Sequence, residues 1–100
     1  MFVNEEYEIV YPKNLRHFES EGILISPTNY QYGLIGLREQ IGDIYLLKIF
    51  TLYRESRTAA FEIKDEITTF TFNTQESLST FFQRLPGMTA FEYLLFKNYH

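Results

Sequence analysis

Residues 44–54 read Ile-Tyr-Leu-Leu-Lys-Ile-Phe-Thr-Leu-Tyr-Arg, and no other stretch restricts the fold as strongly. A β-strand sends alternate side chains to opposite faces. The even positions carry Ile44, Leu46, Phe50 and Leu52, interrupted by Lys48. The odd positions carry Tyr45, Leu47, Ile49, Thr51 and Tyr53. A half-exposed antiparallel strand alternates apolar with polar residues. This one is apolar front and back, so both faces need cover. Short helices can supply one cover. The second requires a curled sheet, a second copy of the chain or a binding partner.

The flanking sequence predicts more strands. Tyr7, Ile9 and Tyr11 alternate with Glu6, Glu8 and Val10, as in a strand with one wetter face. Pro12 suits the first turn of a helix, and Leu15 and Phe18 share a face of a helix over 13–21, with Gly22 as its stop. Residues 23–25 form a short strand before the turn at 26–29. Residues 30–40 pair with 44–54 around Gly42, which can take positive φ. After a polar connection at 54–58, strands 59–64 and 67–72 meet at a tight acidic turn, Asp65-Glu66. Gly33-Leu-Ile-Gly36 lies inside a strand pattern and predicts a bulge, or a place where another side chain crosses the strand.

The C-terminal third reads as helical. Asn73 with Glu76 resembles a capping box. Leu78, Phe81, Phe82 and Leu85 form an apolar stripe, and Pro86-Gly87 ends it. Thr89 with Glu92 caps a further helix from Ala90 to about Asn98, with Phe91, Leu94 and Leu95 on its inner stripe. The expected fold is a single α+β domain over residues 1–100. It has a mainly antiparallel five- or six-stranded meander, a short N-terminal helix and two C-terminal helices packed on the sheet. The stretch Ile67 to Leu85, a strand leading into a capped amphipathic helix, is loosely similar to the end of a pleckstrin-homology-type barrel. The helix after Pro86-Gly87 departs from that pattern, so no residue role is carried over.

Composition narrows the chemistry. The chain has no Cys, which removes disulfides, thiolate nucleophiles and cysteine-based metal sites. The net charge is −4, which disfavours nucleic acid as a partner. Residues 1–50 carry seven acids and four bases and residues 51–100 six and five, so no acidic block mimics DNA. Glu5, Glu6 and Glu8 break up any N-terminal apolar run, and no stretch is long enough to span a membrane. A cytoplasmic location is expected.

Chemistry-bearing residues are sparse. His17 has Glu21 four residues on, the spacing of a carboxylate-oriented base, but also that of an ordinary surface pair on a helix. His100 is the last residue. Glu6/Glu8, Glu19/Glu21 and Asp65/Glu66 are paired carboxylates that read as solvated edges or turn residues. Lys48, Arg54, Arg57 and Lys64 cluster around the central hairpins and read as a mixed-charge turn region. No catalytic residue, cofactor or metal ligand is indicated, and an enzyme is not expected.

Aromatic content is the positive signal. Ten Phe and eight Tyr make up 18% of the chain. Tyr30 and Tyr32 share a strand face, and so do Tyr45 and Tyr53. Tyr93, Phe96 and Tyr99 lie outside the last helix's inner stripe. Tyrosine suits a surface that is wet alone and dry when bound. These seven residues are the expected partner-binding set of a small acidic interaction module, of accessory, inhibitor or immunity type, engaging another protein or a homo-oligomer. The alternative is a small-ligand domain with an aromatic pocket between sheet and helices.

Overall fold

The structure is a computed structural model that describes residues 2–3, 7–26 and 28–85. Six strands form one sheet in the order β1-β3-β4-β5-β6-β2. They are β1 (Phe2–Val3), β2 (Ile9–Val10), β3 (Glu19–Ile25), β4 (Tyr32–Ile41), β5 (Ile44–Tyr53) and β6 (Phe61–Phe72). One helix, α1 (Gln75–Arg84), follows.

The expected mainly antiparallel α+β meander with a short N-terminal helix is therefore corrected, and of the two expected C-terminal helices α1 is the first. The molecule is mostly sheet, curled into a half-barrel, with α1 as the one α-helix among the described residues. The sheet is mixed: β2 runs parallel to β6, with Ile9 opposite Phe61, while the other pairings are antiparallel. The region expected as helix 13–21 holds a 3-10 turn at Lys13–Leu15 and then the start of β3 at Glu19. The Leu15–Phe18 spacing fits a single tight turn as well as a helix, and Phe18 N–H closes on the Leu15 carbonyl at 3.2 Å. Gly22 does not stop a helix. It sits at a β-bulge in β3 with φ 153°, where the register slips between Ser20 and Gly22. The second C-terminal helix expected over 90–98 lies outside the described residues, as do Pro86-Gly87 and the Thr89/Glu92 cap.

The Asp65-Glu66 turn is also absent. β6 runs unbroken through it and absorbs two register shifts opposite Ile49–Leu52. Asp65 N–H donates to the Thr51 hydroxyl at 2.9 Å, which occupies a backbone donor that the shifted ladder would leave open. These bulges bend the strand and increase its twist, which helps close the half-barrel. The β4–β5 hairpin behaves as expected. Gly42 takes φ 59° in a two-residue loop between Ile41 and Ile44, as a turn with glycine first requires.

The chain itself covers the middle of both faces of β5. Phe50 and Leu52 join Leu15, Ile23, Ile35, Leu37, Phe61 and Ile63 in one core. Tyr7, Ile9, Tyr11 and Phe18 of the N-terminal segment pack against that core. Leu47 and Ile49 join Phe70, Phe72, Leu78, Phe81 and Phe82 in the other, beneath α1. Each fully buried Leu, Ile or Phe contributes about 1.5–3 kcal/mol of transfer free energy. Thr74, not Asn73, caps α1, accepting the Ser77 N–H at 3.1 Å. The helix crosses the sheet where Gly36 leaves room for the Phe82 ring.

Candidate interaction surface

α1 covers only part of its sheet face. Beyond it, at the far end of the β4–β5 ladder, Tyr32 stands directly opposite Tyr53. Their ring centroids are 5.4 Å apart at 54°. Tyr32 is 51% exposed and Tyr53 half-buried. Position 53 shares its strand face with Leu47 and Ile49, so the tyrosine pair continues the surface that α1 covers elsewhere. Tyr30 lies half-buried in the turn before β4, with the Arg57 guanidinium 4.4 Å from its ring centroid.

Arg54 anchors this end of the sheet. It is 5% exposed, and the sequence reading placed it in a polar connection. Nε donates to the Tyr30 carbonyl at 2.9 Å and Nη1 to the Arg57 carbonyl at 3.3 Å. The guanidinium also lies 4.4 Å from the Phe61 centroid and 5.2 Å from that of Tyr7. Carbonyl dipoles and ring faces compensate a charge that burial would otherwise make costly. The signal for this burial was present in the sequence: position 54 continues the alternation of Phe50 and Leu52, the inward face of β5.

The other expected contact residues separate. Tyr45 is half-buried against the α1 core, away from Tyr32 and Tyr53. Tyr93, Phe96 and Tyr99 lie outside the described residues. Of the basic residues around the hairpins, Lys48 pairs with Glu66 at 3.4 Å, Lys64 pairs with Glu62 at 3.0 Å and Arg54 is buried.

A polar cluster lies at the opposite end of the sheet. Arg38 holds Glu19 and Glu21, each at 2.8 Å, and Glu21 also accepts the Ser79 hydroxyl of α1 at 2.6 Å. His17 does not pair with Glu21 as its spacing suggested. With no helix there, its Nε2 meets Glu39 at 3.1 Å. A cleft of about 470 Å³ is lined by His17, Glu19, Arg38 and Glu39, with Tyr45 and Gln75 beside them. Its charged groups are bound to one another, and Ser79, outside that lining, faces a carboxylate rather than an imidazole, so His17 and Ser79 do not form a nucleophile–base pair. On β6, Glu66 has its carboxyl held below the ordinary value, chiefly by the Thr69 hydroxyl at 2.6 Å and secondarily by Lys48, against the opposing effect of burial. Among the described residues no group of three His, Asp or Glu is placed to hold a metal ion, and no helix is long and apolar enough to cross a membrane.

Comparison of the chain with protein-family models, with curated proteins and with solved structures finds no match in any of the three.

Proposed function

We propose that this chain is a non-catalytic interaction module that binds a partner protein through the Tyr32–Tyr53 pair, with Tyr30 and Arg57 beside it. The observation that carries the reading is the exposed, paired tyrosine surface where α1 leaves its sheet face. Tyr and Arg are the residue types that contribute most where protein surfaces dock. A protein suits this surface better than a nucleic acid. The net charge is −4, and Arg38, Lys48 and Lys64 are each held by carboxylates. The ligand-pocket alternative has less support, because Phe70, Phe72, Leu78, Phe81 and Phe82 fill the layer between sheet and helix. A cytoplasmic setting forms part of the same proposal, for a fold assembled without disulfides.

The test is affinity capture from host extract with the parent chain and with a Tyr32→Ser/Tyr53→Ser variant. Both side chains are partly exposed, so the variant keeps its circular dichroism spectrum. A protein enriched by the parent and lost by the variant supports the reading. Equal capture by both chains refutes it.

A further inference from the structure

The outer edge of β6 points to a second binding surface, separate from the tyrosine pair. β2 covers this edge only at Phe61 and Glu62. At Thr69 and Thr71, no strand among the described residues pairs with it. The direction of its backbone groups follows from the ladder. Arg54 N–H donates to the Gln31 carbonyl at 2.9 Å, so position 54 of the chain turns its backbone toward β4. Tyr45, Leu47 and Ile49, at the alternate positions, therefore turn theirs toward β6. Their partners there are Phe72, Phe70 and Thr68. Thr69 and Thr71 are left with N–H and C=O directed away from the sheet, and both residues are exposed. The Phe61 N–H bond to the Glu8 carbonyl at 2.9 Å, on the same outer side, agrees with this alternation.

Natural sheets guard such edges with charges, proline or bulges. Here Lys64, Asp65, Glu66 and the bulges occupy only the first part of the edge. Residues 67–72, Ile-Thr-Thr-Phe-Thr-Phe, carry no charge, proline or glycine. The run is also self-complementary. In an antiparallel register centred on Phe70, Thr69 of one copy exchanges N–H···O bonds with Thr71 of the other. Thr68 then faces Phe72, and Glu66 faces uncharged Thr74, so no like charges are opposed.

We propose that two copies of this chain pair antiparallel through residues 67–72 of β6, joining their sheets across a twofold axis. Sedimentation of the full chain from about 5 to about 200 µM gives a concentration-dependent dimer. Thr71→Pro removes an outward N–H that β5 does not use. It weakens the dimer by about tenfold or more, since both copies lose a bond, and leaves the fold's circular dichroism intact. Amide exchange supplies a readout that does not depend on that variant folding. Thr69 and Thr71 are protected at high concentration and exposed on dilution, while Thr68 and Phe70 stay protected throughout. A monomer over the whole range overturns the proposal. So does a folded Thr71→Pro variant that dimerises as the parent does. Protection of Thr69 and Thr71 that ignores concentration also overturns it, since the chain itself would then cover the edge. The Tyr32→Ser/Tyr53→Ser variant dimerises normally, which separates this site from the proposed partner surface.

Discussion

Gly36 offers the sharpest test of how α1 is seated on the sheet. A Cβ added there would lie 2.4 Å from Cε1 and 2.9 Å from Cδ1 of the Phe82 ring. Carbon atoms in contact normally sit about 3.5–4.0 Å apart, so the ring would have to retreat by about 1 Å or more. It has little room to do so, being 2% exposed and packed in one core with Leu78, Phe70 and Phe81. Overpacking of this kind costs about 1–3 kcal/mol, and the closeness of the contact places Gly36→Ala in the upper half of that range. Phe82→Ala alone removes the ring and costs about 3–5 kcal/mol. In that background the clash is gone, and alanine is about 0.5–1 kcal/mol better than glycine within a strand. The double variant should therefore be no less stable than Phe82→Ala, a coupling of at least about 2 kcal/mol. Urea unfolding of the four proteins measures it. If Gly36→Ala falls within about 0.5 kcal/mol of the parent, or if the two costs add, Phe82 does not pack over Gly36.

Two further perturbations probe the ends of the sheet. Arg54→Ala strips the donors from the Tyr30 and Arg57 carbonyls and leaves a gap against Phe61. It should cost about 2–4 kcal/mol, visible as a lower thermal midpoint at about 4–8 °C per kcal/mol; an unchanged midpoint would show that the guanidinium is not buried as described. Glu66 should add to acid sensitivity. Its folded pKa is depressed, so its contribution is complete above the ordinary glutamate value of about 4.3 and is lost as pH falls through the lower folded value. Glu66→Gln should be slightly less stable than the parent at neutral pH, with the difference closing in acid. A gap that widens as the carboxylate is protonated in acid would contradict the Thr69 and Lys48 contacts.

Legibility in the sequence followed the range of each signal. The β4–β5 hairpin could be read because alternation and a glycine loop are local properties of one stretch. α1 could be read because Leu78, Phe81 and Phe82 mark one helical face whatever they pack against. Leu15 and Phe18 could not be resolved, since a spacing of three suits both a helix and a 3-10 turn. Asp65-Glu66 looked like a turn because its charges interrupt an apolar pattern, and a bulge interrupts it in the same way. Arg54 was misplaced for a different reason. Residue type argued for solvent while strand position argued for the core, and only the surrounding carbonyls and rings reconcile the two.

The amino-acid sequence by itself determined that β5 would be buried on both faces, because the alternation of a strand turns composition directly into two apolar surfaces. What covers those surfaces was a tertiary decision. The N-terminal segment could close the second face only once Ile9 had paired parallel to Phe61 and the bulged β6 had curled toward it. Pairings between segments far apart in the chain depend on the relative energies of whole alternative arrangements, and no local pattern of residues records that comparison.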